Sequence, residues 1–127
     1  MRMLFGQVPW WVSVAALAVI MGSDLWFVAV LKANSFATSV IQVETGQTLA
    51  AKGPYQMVRH PMYLGMIVRW LVTPLALGSL VAVPVFCALI PLFSWRLLNE
   101  ENFLKRELPG YLDYCQRTPW RLIPFVW

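Results

Sequence analysis

The chain has 127 residues, 59% of them hydrophobic and 13% charged, with ten Lys or Arg against six Asp or Glu, a net charge of +4 and a mean hydropathy of +0.61. Soluble domains carry about 25% charged and about 45–50% apolar residues, so this composition excludes a soluble globular domain and, more firmly, a disordered chain. Two uncharged runs, Met3 to Ser23 and Trp70 to Trp95, each reach the ~20 residues that a membrane helix needs. The expectation is a single-domain, all-α integral membrane protein over residues 1–127.

In chain order, the first span is expected over 8–31, with Pro9 near its start and Trp10-Trp11 at an interface. Met1-Arg2 before an apolar run, with Ala16-Leu17-Ala18 as a cleavage site, also resembles a secretory signal. The run exceeds the about 7–15 residues of a signal core, so a retained span is the reading adopted. Residues 33–60 are a polar connector, rich in Asn, Ser, Thr, Gln and Glu before Lys52-Gly53-Pro54. Apolar character returns over 61–98, which as one helix would reach about 57 Å, nearly twice the ~30 Å hydrocarbon core. It must fold back, and Gly78-Ser79 is the turn expected, giving a hairpin of Pro61 to Leu77 and Leu80 to Leu98 with Pro84 and Pro91 as kinks. Residues 99–127 form a helical tail, broken at Pro109-Gly110.

The architecture is thus about three transmembrane helices, one N-terminal span plus a hairpin, followed by a cytoplasmic helical tail. Of the ten basic residues, Arg2 precedes the first span and Arg69 lies within the second. Lys32, Lys52, Arg59, Arg96, Lys105, Arg106, Arg117 and Arg121 fall on the other side. The positive-inside rule then places the N-terminus outside and the connector and C-terminus in the cytoplasm. Basic residues dispersed between spans do not form a nucleic-acid face. Cys87 and Cys115 stand in different environments, and no metal-ligating cluster is visible, so neither a disulfide framework nor a metal site is expected.

Chemistry concentrates where the connector re-enters the membrane, at Gly53-Pro54-Tyr55-Gln56-Met57-Val58-Arg59-His60-Pro61-Met62-Tyr63-Leu64-Gly65. Pro61 suits the first position of a helix, whose unpaired amides at Met62, Tyr63 and Leu64, beside Arg59 and His60, would make an anion site. Gly65 would let a backbone or a flat ligand approach closely. Read one by one, the same residues could be interfacial anchors. The second element is Asn99 to Leu108. There Glu101 and Lys105 stand at i,i+4, a spacing that suits a solvated ion pair, while Glu100 is expected to face the bundle at the depth of His60. Asp24 is expected at an interface or locally hydrogen-bonded, and Arg69 snorkelling or paired.

These motifs resemble the integral membrane methyltransferases of the isoprenylcysteine carboxyl methyltransferase and phospholipid methyltransferase group. The pattern comprises G-P-Y-x-x-x-R-H-P-x-Y-x-G at Gly53 to Gly65, the hairpin, the pair Glu100-Glu101, G-x-x-x-Y at Gly110 to Tyr114, and R-x-x-P at Arg121 to Pro124. The resemblance implies methyl transfer from S-adenosylmethionine to a lipid or prenylated small-molecule acceptor arriving from the bilayer, such as an isoprenylcysteine carboxylate or a phospholipid amine. It implies catalytic roles for Arg59, His60 and Glu100, and a cofactor pocket of Tyr55, His60, Pro61, Tyr63, Leu64, Gly65, Glu100 and Glu101. Membrane sterol reductases, which use NADPH, share a similar aromatic, basic ending, and a non-catalytic module of the same fold is the third alternative. Family members usually have further spans before this half, so a minimal enzyme, a fragment and a homo-oligomer all remain open.

Overall fold

The structure is a computed structural model that describes residues 8–33 and 53–127. The segment 34–52, most of the expected connector, and residues 1–7 lie outside the described residues.

Helix α1 (Trp10–Ala33) begins where Pro9 cannot continue a helix toward the N-terminus, and the Pro9 carbonyl accepts the amides of Val12 and Ser13. A 3₁₀ turn, Gly53–Gln56, leads into α2 (Pro61–Ala76), which Pro61 starts from its first turn. The two helices run antiparallel and are tied at both ends. Ser13 donates its hydroxyl to the Leu75 carbonyl at 2.9 Å, and Trp26 donates its indole N–H to the Pro61 carbonyl at 2.7 Å. Gly65 makes their approach possible, because a Cβ there would lie 2.9 Å from Trp26 Cδ1 and 3.3 Å from Phe27 Cε2. The close approach expected at Gly65 is therefore taken up by two rings of the same chain.

The chain folds back at Gly78, the expected place, and the reason is visible in the hydrogen bonds. Gly78 adopts φ +73°, its N–H bonds the Leu75 carbonyl, and the Ser79 N–H reaches the Pro74 carbonyl, which together form a Schellman C-cap. The returning segment is not one helix from Leu80 to Leu98. It starts as α3 (Val83–Cys87), breaks at Ala88, and resumes as α4 (Leu89–Glu107), nine residues further than the expected hairpin end at Leu98. Pro91 has no N–H for the Cys87 carbonyl, which is why the break falls there. Pro109 and Gly110, the latter at φ +82°, turn the chain into α5 (Tyr111–Arg117).

Two helical stretches, Trp10–Ala33 and Val83–Glu107, are long and apolar enough to cross a membrane. Helix α2, with 16 residues, extends about 24 Å and is shorter than the hydrocarbon core. Buried side chains collect at the end where α1 finishes and α2 begins. One cluster joins Val30, Tyr55, Leu108, Tyr111 and Tyr114, and a second joins Tyr63, Leu97 and Leu122. The other end exposes its apolar side chains outward, as lipid-facing helices do.

Gly65→Ala should lower thermal stability in detergent by about 1–3 kcal/mol, the overpacking cost. Equal or higher stability, as helix propensity alone would give, would show that Trp26 can step aside.

Candidate active site

The site is assembled by the last quarter of the chain folding back over the 53–60 segment. Tyr114 donates its hydroxyl to the Tyr55 carbonyl at 2.6 Å, clamping the 3₁₀ turn. The Arg59 N–H bonds the Trp120 carbonyl at 2.8 Å, and the His60 N–H bonds the Arg121 carbonyl at 2.9 Å. The strap 118–127 then curls on itself, with the amides of Leu122 and Ile123 both meeting the Trp127 carbonyl. Burial pushes the phenol pKa of Tyr111 and Tyr114 well above its usual value, so both stay neutral.

At the centre lies Glu101, 1% exposed. Its Oε1 is 2.7 Å from Arg59 Nη1, and its Oε2 accepts a 2.8 Å hydrogen bond from Arg121 Nε. His60 Nε2 stands 3.6 Å away, and Lys105 Nζ, the expected partner, is more distant at 3.8 Å. The two adjacent acids are therefore exchanged relative to expectation: Glu101 faces the bundle, and Glu100 occupies the half-buried flank. Leu97, Leu104 and Leu108 explain it. At 100° per residue their mean direction lies about 40° from Glu101 and about 60° from Glu100 on the other side, and Leu108 tips the balance.

Glu100 has its own partners. Tyr63 donates its hydroxyl to Glu100 Oε2 at 2.7 Å and accepts from Arg96 Nε at 3.0 Å. The His60 ring meets the Tyr63 ring edge-on at 5.9 Å, so His60 touches both the Glu101 cluster and the Tyr63–Glu100–Arg96 group. The result is a continuous polar wall at the start of α2. Within it Arg59 Nε and His60 Nε2 are buried without hydrogen-bond partners, as is the Tyr111 hydroxyl.

Of the expected site residues, the structure brings together Arg59, His60, Tyr63, Glu100 and Glu101. The others have surroundings of protein: Tyr55 packs among Val30, Leu108, Tyr111 and Tyr114, Leu64 packs against the Tyr63 cluster, and Pro61 is buried at the helix start. The Leu64 amide is not free, since it bonds the His60 carbonyl at 3.1 Å. Arg121 and Arg96 were absent from the expected set. Arg121 could have been found by charge accounting, because a buried Glu needs more than one cation when Arg59 alone cannot fill both oxygens. Arg69, as one of its two expected readings had it, is paired, and its partner is Asp24.

Glu101→Gln should strip the counter-charge from the buried Arg59 and cost about 3–5 kcal/mol, read as a large fall in melting temperature. Glu100→Gln, at a half-buried position, should leave the melting temperature within about 1 kcal/mol equivalent of the parent. Equal effects of the two would contradict the asymmetry between the acids.

The isoprenylcysteine carboxyl methyltransferase (ICMT) family model matches residues 14–106. The chain is 31% identical to protein-S-isoprenylcysteine O-methyltransferase B of Arabidopsis thaliana over 122 residues, 92% of this chain and 61% of that protein. Mouse Delta(14)-sterol reductase TM7SF2 is 34% identical over 92 residues, 68% of this chain and 22% of that protein. Among solved structures, a eukaryotic intramembrane Ras methyltransferase ICMT superposes with a TM-score of 0.78 at 28% identity, covering 91% of this chain and 43% of that one. The chain thus spans roughly half the length of these methyltransferase relatives, and the described geometry and the matched region agree in one conclusion: it belongs to the isoprenylcysteine carboxyl methyltransferase family of integral membrane proteins.

Proposed function

We propose that this chain methylates a carboxylate on a lipid-modified acceptor, of the isoprenylcysteine type, with S-adenosylmethionine as donor. The observation that carries the reading is the polar wall at the start of α2, where two buried nitrogens, Arg59 Nε and His60 Nε2, have no protein partner. A carboxylate, such as the one the donor carries, is the group those two nitrogens fit. The outer oxygen of Glu100 fits an ammonium or ribose hydroxyl, while the Tyr63 hydroxyl fixes its inner one.

S-adenosylmethionine supplies a methyl group already activated on a positively charged sulfur. A carboxylate acceptor carries no proton to remove, so the chain needs no general base. What its residues contribute is alignment and dryness. Arg59 and His60 are held at fixed places by backbone bonds to Trp120 and Arg121, and Arg59 is further held by Glu101. Glu101 is a positioning residue, since its oxygens are already engaged by Arg59 and Arg121. The acceptor would arrive from the bilayer along the apolar hairpin.

The same reading takes α1, α2 and the α3–α4 segment as three spans, with N-terminus out and site and tail in the cytoplasm, supported by eight of ten basic residues falling on that side.

Titration calorimetry on the purified chain in lipid should detect S-adenosylhomocysteine. His60→Ala and Glu100→Gln should each weaken it about 10- to 150-fold, the loss of one charge-assisted hydrogen bond, with the melting temperature little changed. Binding of NADPH instead would assign the chain to reductase chemistry. Parent-like affinity in both variants would reduce these residues to anchors. Thiol labelling of intact cells should miss Cys115, and labelling it from outside would overturn the topology.

A further inference from the structure

Asp24 and Arg69 form an ion pair that the proposed chemistry does not use, and its position is unusual. At 1.5 Å per residue Asp24 lies about 21 Å along α1 from Trp10 and about 14 Å from Ala33. Arg69 lies about 12 Å from the start of α2 and about 10 Å from its end. Both charges are thus well inside the apolar layer that α1 crosses. Yet their side chains are 53% and 45% exposed, so the remaining donors and acceptors face outward into hydrocarbon, where charge costs at least ~2.5 kcal/mol.

A second observation points the same way. Val14, Leu17, Met21, Asp24, Val28 and Leu31 are spaced 3, 4, 3, 4 and 3 residues apart, and every one of them is exposed. That is the a/d spacing of a helix–helix seam, and one polar residue in such a seam sets register and partner number. In lipid, polar contacts of this kind act as the glue between helices.

We infer that α1 docks along this seam on a second copy of the chain, with Asp24 and Arg69 of each copy closing a four-membered ring of alternating charge. The argument for a second copy is geometric. Asp24 and Arg69 touch, so they share one depth. A two-fold axis along the membrane normal keeps depth unchanged, and therefore brings Asp24 opposite the partner's Arg69 and Arg69 opposite the partner's Asp24. The patch is its own complement in charge, and each ion gains a second counter-ion where before it faced lipid tails.

The test uses the full chain in liposomes, with Cys87 and Cys115 changed to Ala. Single cysteines Leu17→Cys and Leu31→Cys should cross-link to dimers under copper phenanthroline. Val19→Cys, which is 42% exposed but about 140° around α1 from Asp24, should not. Asp24→Leu combined with Arg69→Met removes both charges together, leaves no unpaired ion in the monomer, and should weaken dimerisation about 3- to 30-fold by energy transfer against lipid dilution. A monomer at all protein-to-lipid ratios, as expected if another protein segment covers the seam, would overturn the inference. So would cross-linking at Val19 equal to that at Leu17, or an unchanged dimer in the double variant.

Discussion

One buried carboxylate organises the functional end of this protein. Glu101 lies 1% exposed on α4 and accepts from Arg59, at the edge of α2, and from Arg121, in the C-terminal strap. These three residues are far apart in sequence, and the backbone pairing of 59–60 with 120–121 brings their side chains to the same point. Taking Glu101 away would leave two arginines facing each other in a dry place, so the folding of the strap and the position of Arg59 depend on it together. The aromatic cluster of Tyr55, Tyr111 and Tyr114 supplies the apolar burial around this charge network, and its hydroxyl-to-carbonyl bonds fix the turn that precedes Arg59.

The two ends of the molecule are built on different physics. Toward the Gly78 turn, helices touch through few buried side chains and lean on specific polar ties such as Ser13 to Leu75, because lipid tails solvate Leu and Val as well as protein does. Toward the site, burial is aromatic and the polar groups are partnered within the protein. Helix α2 connects the regimes. Its first turn carries the site, Gly65 lets α1 approach one turn later, and Arg69 answers Asp24 one turn beyond.

Much of this was legible from residue type alone. Proline and glycine mark backbone events directly, so the start of α2 at Pro61 and the turn at Gly78 could be read from the chain. The membrane class followed from two long uncharged runs. What was not legible were features set by three-dimensional partners. The break at Ala88 depends on whether a proline kinks or interrupts, which packing decides. The exchange of Glu100 and Glu101 turned on a helix rotation of some tens of degrees, finer than a search for flanking leucines resolves unless Leu108 is included. The strap was invisible for a different reason: its bonds to Arg59 and His60 are made by backbone amides and carbonyls, which leave no trace in side-chain identity.

A buried cluster of one carboxylate and two arginines is a poor way to gain stability, since apolar residues of the same volume often serve as well or better. Its value is geometric. A guanidinium fixed through Nη1 by Glu101 cannot rotate freely, so its Nε points in a set direction, and that Nε is one of the buried nitrogens left without a partner. The same logic applies beside it, where Arg96 and Glu100 pin the Tyr63 hydroxyl from opposite sides. The chain has spent its charged residues, few as they are, on holding other polar groups still. Such preorganisation is what a transfer reaction without general acid–base chemistry requires, because alignment and exclusion of water are then the main contributions open to the protein.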